Sequence, residues 1–151
     1  MTTFECRTQI DAPPATVFDL ARDIDSHVRS QTYANERAVA GVTSGLIGLG
    51  ESVTWRATHF RIPFKMTSHI VEFDSPRRFV DEQIRGPFKR IRHEHVFEPS
   101  SGGTLMVDHV SFDAPLWFIG ALVDRVILRR YMQRLIEDRA QVIKAEAEQG
   151  A

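Results

Sequence analysis

Residues 88–112 read FKRIRHEHVFEPSSGGTLMVDHVSF, and this stretch decides the fold. In its first half, apolar residues and histidines fall on every second position, so they share one face of an extended chain. That alternation is typical of a half-buried strand. The central PSSGG at 99–103 contains the residues of a tight hairpin loop. The sequence therefore predicts two antiparallel strands, 88–98 and 104–112, joined by a hairpin.

The same two-residue period continues towards the N-terminus. It predicts further strands at 4–10, 37–43, 51–61, 64–73 and 78–85. We expect turns at 62–63, 74–76 and 86–87, because proline and glycine interrupt strand pairing. Strands that follow one another through short loops form an antiparallel meander. The sequence thus predicts an α+β fold with about seven strands, six of them consecutive.

Helical spacing of apolar residues occurs in two regions. Residues 14–22 begin with a proline that suits a first helical turn, and a second short helix is expected from Asp23 or Asp25 to about residue 31. After Pro115, apolar residues recur every three or four positions, which predicts an amphipathic helix of about 25 to 30 residues. Its charged residues, Arg139 among them, are expected on a solvated face.

Size and composition limit what the chain can be. Its 151 residues suit a single domain, which we expect to span 1–147 with a frayed tail at 148–151. The net charge of -1 gives no reason to expect nucleic acid as a partner, and the single Cys6 excludes an internal disulfide. No basic segment followed by an apolar run opens the chain, and the apolar stretch 114–123 is too short to span a bilayer. We therefore expect a cytoplasmic protein without stable membrane insertion.

The order of elements creates a gap beneath the long helix. That helix must cover the apolar face of the sheet, but a straight helix cannot follow a strongly twisted sheet everywhere. The gap is either filled by large side chains or left as a cavity, and composition alone does not separate the two. The side chains expected to contact a ligand in such a cavity are Trp55, His59, Phe64, Met66, Phe79, Phe88, His93, Phe97, Met106, Phe112, Trp117 and Leu122.

Two histidines of the hairpin are the candidates for chemistry. One hairpin register pairs Phe97 with Met106, and the same register places His95 opposite Asp108. A carboxylate beside an imidazole raises its basicity, so His95 and Asp108 could form a catalytic pair with His95 as general base. They could equally form a buried structural pair, or a register slip of one residue could separate them.

The same hairpin also raises the question of a metal site. His93, His95 and Asp108 come together in the predicted pairing, and His109 and His59 could join them. However, Asp108 and its neighbour His109 point to opposite faces of a strand, so no set of three ligands is secure. The sequence therefore predicts no bound metal, and no motif indicates a cofactor.

Four phrases of the sequence resemble a known superfamily. They are IDAPPATVF at 10–18, FVDEQIRGPFK at 79–89, HEHVF at 93–97 and GTLMVD at 103–108. Together with the element order, they resemble the START-like (Bet v 1-like, helix-grip) superfamily, which includes bacterial polyketide cyclase/dehydrase-like and lipid-transport proteins. The resemblance implies a curved antiparallel sheet around a long C-terminal helix, with a cavity between them. It favours the cavity over the filled core.

Three functional hypotheses follow. The first is binding or transport of a hydrophobic small molecule, such as a lipid, isoprenoid or aromatic polyketide. The second is a cofactor-independent cyclase or dehydratase that uses His95 and Asp108. The third is a regulatory protein whose apolar segment 116–119 meets a partner, and that segment could equally form a homodimer interface.

Overall fold

The structure is a computed structural model that describes residues 1–114 and 122–150, with the side chains of 122–124 excepted. Its strands are β1 (Thr2–Ile10), β2 (Arg37–Gly41), β3 (Ser52–His59), β4 (Ile62–Asp74), β5 (Arg78–Arg85), β6 (Arg90–Ser100) and β7 (Gly103–Asp113). Its α-helices are α1 (Pro14–Ala21), α2 (Ile24–Ser30) and α3 (Leu122–Gln149). A 3₁₀ turn at Thr32–Ala34 follows α2.

The described strands form one antiparallel sheet in the order β1-β7-β6-β5-β4-β3-β2. The strands from β2 to β7 are a meander, as predicted. β1 is added at the edge of the sheet, where it pairs with β7 along its whole length, from Thr2 opposite Phe112 to Ile10 opposite Thr104. The predicted fold class is therefore confirmed.

The turn between β3 and β4 corrects one expectation. The chain turns at Phe60 and Arg61, which have φ angles of 52° and 63°, and not at Ile62 and Pro63. Two residues at positive φ form the hairpin turn whose twist matches that of the flanking strands. Pro63 is accommodated within β4 because β5 begins to pair with β4 only at Thr67, so the missing N–H of Pro63 needs no partner on that side.

The structure also differs from the prediction at one boundary of each of two strands, β2 and β6. β2 stops at Gly41, where φ is +73° and a Cβ atom would lie 2.1 Å from the carbonyl oxygen of Ser52. Only glycine permits that approach, so regular pairing does not continue to residue 43. β6 begins at Arg90 because Phe88 lies in the loop after β5, where the Gln83 side chain donates to the Phe88 carbonyl at 2.8 Å.

Irregular pairing bends the sheet. The register shifts between Ala38 and Ala40 in β2, and in β4 at 67–68 and at 70–72. Bulges of this kind increase local twist and bend the strand. The strands that face the middle of α3 are therefore curved.

α3 crosses this sheet. Its 28 residues extend over about 42 Å at the usual helical rise. The Lys144 side chain donates to the carbonyl of Gln9 at 2.7 Å and so fastens α3 to β1. Ala147 is fully buried, and the helix continues to Gln149. The boundary of the domain at 147 stays a prediction.

Two apolar clusters flank the middle of the molecule. In the larger one, Phe18 of α1 packs against the sheet and the C-terminal part of α3. In the smaller one, Leu128 of α3 packs with Phe4 and Phe112 of the sheet. Among the residues described, no helix combines the length and the apolar character that crossing a membrane requires.

Candidate ligand cavity

A cavity of about 230 Å³ lies between α3 and the sheet. Strands β3 to β7 supply one wall and α3 supplies the other, with further residues from the end of α1 and from α2. The gap beneath the long helix is therefore a cavity rather than a filled core. The side chains at its α3 wall include Leu128, Tyr131, Met132, Leu135, Ile136 and Arg139.

Most of the sequence-predicted ligand contacts border this cavity. They are Trp55, His59, Phe64, Met66, Phe79, Phe88 and His93, and the candidate catalytic residues His95 and Asp108 border it as well. Trp117 and the side chain of Leu122 lie outside the described residues. Whether any of these side chains contacts a ligand stays a prediction.

Three predicted contacts are not brought to the cavity. Phe97, Met106 and Phe112 are each 1% exposed and belong to the packed clusters. Phe97 lies beneath α1, with its ring centroid 5.3 Å from that of Phe18, while Phe112 packs edge-on to Phe88 at 5.7 Å. These side chains face inward as expected, but other apolar side chains occupy the space in front of them.

The hairpin has the first of the two registers considered from the sequence. His95 is opposite Asp108, and Phe97 is opposite Met106. The carboxylate of Asp108 accepts a hydrogen bond from His93 Nε2 at 2.8 Å, and its Oδ1 lies 3.4 Å from His95 Nδ1. The side chain of Asp108 is only 6% exposed, so this carboxylate is held within the wall of the cavity.

A second carboxylate, Asp81, completes the group and was missed by the sequence reasoning. Its Oδ2 lies 2.7 Å from His95 Nε2, so each ring nitrogen of His95 faces a carboxylate. A signal was present, because Asp81 is two residues after the inward-facing Phe79 and must share its face of β5. Asp81 keeps 25% side-chain exposure at the cavity border, which leaves it more accessible than Asp108.

His95 is the middle ring of a stack of three. Its ring centroid is 4.1 Å from that of Phe79 and 3.7 Å from that of His93, and the interplanar angles are 16° and 25°. An aromatic face attracts a neighbouring cation through its ring quadrupole. Phe79 therefore both fixes the plane of His95 and favours its protonated form.

The two carboxylates shift the protonation equilibrium of His95. Burial alone would lower the pKa of this imidazole, but its hydrogen bonds to Asp108 and Asp81, and their charges, outweigh burial and raise the pKa to about 9. Burial alone would raise the pKa of Asp108, yet the hydrogen bonds from His93 and His95 hold that pKa far below its usual range. The pKa of Asp81 is lowered in the same way by His95. At neutral pH the group therefore contains an imidazolium between two carboxylates.

The described residues also contain one group with the composition of a metal site. Asp81, His93 and His95 each present a ligand atom within 4.8 Å of the others. However, His93 Nε2 is already hydrogen-bonded to Asp108 and His95 Nε2 to Asp81, so these nitrogens are engaged within the group. His109 lies apart, with Nδ1 at 3.2 Å from Glu5, and His59 bonds to Tyr131. The expectation that the protein uses no metal stays a prediction.

A second set of polar side chains borders the cavity near α2. The ring of His27 stacks on Trp55 with centroids 4.2 Å apart, and its Nε2 lies 2.5 Å from Glu36 Oε1. His59 Nδ1 and the Tyr131 hydroxyl are also 2.5 Å apart. Burial lowers the pKa of His59 and raises that of Tyr131, so the tyrosine hydroxyl donates to a neutral imidazole.

Arg139 contradicts the prediction of a solvated helical face, because it is only 7% exposed. Its guanidinium donates to Ser26 Oγ at 2.9 Å and to the carbonyls of Leu20 and Ala21 at 3.0 and 3.3 Å. These carbonyls are at the end of α1, where helical partners run out and a cation is favourable. Burial lowers the pKa of Arg139 to about 10, which still leaves it charged at neutral pH.

Gln31 follows α2 and is 4% exposed. Its Nε2 donates to the carbonyl of Leu135 at 3.2 Å, which fixes which end of the amide is the oxygen. Gln31 borders the cavity, and its Oε1 has no hydrogen-bond partner among the described residues. No local sequence pattern identifies either Gln31 or Arg139, because their partners lie about a hundred residues away along the chain.

Almost the whole chain matches a known protein family. A model of the family described as polyketide cyclase / dehydrase and lipid transport matches residues 1–148. The chain belongs to this family. The resemblance to the START-like superfamily is thereby confirmed, and the family covers both cyclase or dehydrase proteins and lipid-transport proteins. No curated protein matches the chain at a significant level.

Several solved structures have the same fold as this chain. The protein TTHA0849 from Thermus thermophilus superposes with a TM-score of 0.81 at 20% identity, over 99% of both chains. The Zhui aromatase/cyclase from Streptomyces sp. R1128 gives 0.75 at 16% identity, over 97% of this chain and 93% of that one. The major latex-like protein 151 of Panax ginseng gives 0.66 at 15% identity, over 97% of each. At these identities the likeness establishes the fold alone.

Proposed function

We propose that this family member binds a compact hydrophobic molecule in the cavity beneath α3. The observation that carries the proposal is the cavity itself, about 230 Å³ in volume and bordered largely by aliphatic and aromatic side chains. Binding sites for small molecules are concave and mainly apolar, with a few placed polar groups. The cavity has this character, because its polar side chains are confined to the His95 group and the residues near α2.

The volume limits the size of the ligand. Cavities near 150 Å³ accept benzene, and drug-sized ligands occupy about 300 to 1,000 Å³. A volume of about 230 Å³ therefore favours a molecule of one or two rings over a long acyl chain. Among the hydrophobic classes considered from the sequence, a small aromatic compound agrees best with this volume.

Ala57 offers a direct test of cavity binding. Its side chain is 6% exposed and borders the cavity from β3. Ala57→Phe should fill part of the cavity and weaken binding of the two-ring fluorescent probe 2-naphthol by about tenfold or more. Ala40→Phe, on the exposed edge strand β2, is the matched control and should leave the affinity unchanged.

Probe fluorescence gives the dissociation constants, and circular dichroism verifies that each variant is folded. Ile136→Phe fills the cavity from α3 and serves if Ala57→Phe does not fold. Equal affinities for the wild type and both cavity-filling variants, or no binding to the wild type, would contradict the proposal.

A second candidate function is acid–base catalysis on the bound molecule, and the observation that favours it is the His95 imidazolium held between two carboxylates. With its pKa raised to about 9, His95 is a proton donor at neutral pH, so we assign it the role of general acid rather than general base. Asp81 is the more exposed of the two carboxylates and is the better placed to accept a proton.

Loss of water from a β-hydroxy ketone matches this arrangement. His95 would give a proton to the leaving hydroxyl while the C–O bond breaks, and Asp81 would take the proton from the carbon next to the carbonyl as the C=C bond forms. The proton on Asp81 then returns to His95 through their 2.7 Å hydrogen bond, so one molecule of water leaves and the enzyme is restored. Asp108 keeps His95 oriented and charged.

The aldol adduct of acetone and benzaldehyde is a suitable test substrate, because its dehydration product absorbs in the near ultraviolet. We expect His95→Gln to slow the dehydration catalysed by the wild type by about 100-fold or more. His109→Gln, on the outer face beside Glu5, is the control and should keep wild-type activity. A wild-type rate no faster than buffer, or an equal rate in His95→Gln, would remove this second candidate.

A further inference from the structure

We infer that the ligand of this cavity carries a neutral hydroxyl group, and that this hydroxyl donates its hydrogen bond to Gln31 Oε1. The inference rests on the proposed binding function and adds the chemical class of the ligand. It makes Gln31 the residue that selects a hydroxylated aromatic compound over a hydrocarbon of the same shape.

The orientation of the Gln31 amide is fixed by α3. Its Nε2 donates to the carbonyl of Leu135, so rotation of the amide by half a turn would bring two oxygens together. The oxygen of the amide is consequently held in place at the other end. Gln31 is 4% exposed and borders the cavity, so this oxygen is shielded from bulk solvent.

Gln31 Oε1 is an unusual atom in the described part of the chain. It is a buried side-chain acceptor with no partner, whereas the buried groups around it are bonded. Arg139, for example, uses Ser26 and two carbonyls at the end of α1. A buried acceptor without a donor is unfavourable by roughly 1 to 3 kcal/mol, and a ligand that brings a donor removes that cost.

The charges near Gln31 determine which kind of donor is suitable. The guanidinium of Arg139 follows Leu135 by one helical turn, and it disfavours an ammonium group on the ligand. A cation would also lose its hydration on entering an apolar cavity. A carboxylate at neutral pH carries no proton to donate. Glu36, an acid that borders the same cavity, already pairs with His27. An alcohol or phenol satisfies all of these conditions.

Two probes of nearly equal shape distinguish the contribution of the hydroxyl to binding from that of the ring system. 2-Naphthol carries a donor, and 2-fluoronaphthalene has the same ring system without one. Calorimetry with the full chain should show that the wild type binds 2-naphthol more tightly than 2-fluoronaphthalene. This preference should fall by about fivefold to 100-fold in Gln31→Met, which removes the acceptor and keeps a side chain of similar size. Gln141→Met, the same substitution on the exposed face of α3, is the matched control and should leave the preference unchanged.

A spectroscopic measurement covers the case in which Gln31→Met does not fold. In wild-type protein labelled with ¹³C at the glutamine side-chain carbonyl, the Gln31 signal should shift on addition of 2-naphthol and remain in place with 2-fluoronaphthalene. If both probes bind and neither the preference nor the signal depends on Gln31, the inference is wrong and the binding function stands. If neither probe binds the wild type, the binding function itself fails.

Discussion

The two ends of the space beneath α3 differ in how they are filled. At one end, α1 inserts Phe18 against three phenylalanines of the sheet, Phe73, Phe79 and Phe97, with ring centroids 5.3, 5.5 and 5.3 Å away. Beyond the last residue of α1 the cavity begins, and Leu128 of the smaller cluster also borders it. The cavity thus begins where α1 no longer lies between the sheet and α3.

The chemistry of the two ends also differs. The Phe18 cluster is mainly apolar, and the Arg22 guanidinium lies over the rings of Phe18 and Phe73, at 5.6 and 5.4 Å from their centroids. The cavity wall, in contrast, contains His95 with two carboxylates, Gln31 and Arg139. Buried polar groups are costly unless they are bonded. Their concentration around the cavity agrees with the binding function proposed for this end, whereas the Phe18 end contributes packing.

The largest expected effect concerns the packed end. Phe18→Ala should lower the free energy of unfolding by about 3 to 5 kcal/mol, because a fully buried ring that contacts three others is removed. Met132→Ala, at the cavity border, should cost less than about 2 kcal/mol, because that side chain already faces empty space.

Urea unfolding of both variants measures the difference. Probe affinity should change in the opposite order, with Met132→Ala altering it more than Phe18→Ala. Similar losses of stability in the two variants would show that the ends are packed alike and would remove the basis of the comparison.

A smaller effect is expected from pH at the cavity end. The pKa of His95 is raised from 6.5 to about 9, so its contribution to stability is complete below pH 6.5 and is lost as the pH rises towards 9. Over that interval the wild type should lose on the order of 3 kcal/mol more than His95→Gln does. Asp108, whose pKa is lowered, contributes in the opposite sense, with stability lost only in acid.

Urea unfolding of wild type and His95→Gln at a series of pH values tests this. Because the two proteins differ only at residue 95, the difference between the two curves isolates that residue. Parallel curves from neutral to alkaline pH would mean that His95 is not held in its charged form.

The hairpin shows how much of the site is contained in local sequence. Alternation and the turn residues at 99–103 predict the hairpin and offer the register that places His95 opposite Asp108, but only the structure distinguishes this register from a slip of one residue. Every second residue of a strand shares one face, so the same alternation would have identified Asp81 from Phe79. Gln31 and Arg139 are different, because the carbonyls they bind belong to elements distant in the chain.

The aromatic residues show where sequence reasoning reaches its limit. Phe79 and Phe97 both face inward, and their side chains have the same chemistry. Which of them meets the cavity depends on where α1 crosses the sheet, and α1 covers Phe97 completely. Met106 is buried in the same cluster as Phe97, whereas Phe112 is buried in the smaller cluster with Phe88 and Leu128. The inward face was therefore predictable, but its division between core and cavity was not.

Phe79 belongs to both regions, since one of its neighbours is Phe18 and another is the His95 imidazole. A single benzene ring therefore separates the tightly packed aromatic cluster of the molecule from its charged group. Any displacement of α1 is passed through that ring to the imidazole plane, so substitutions well outside the cavity would alter the acidity of the site without touching a titrating residue.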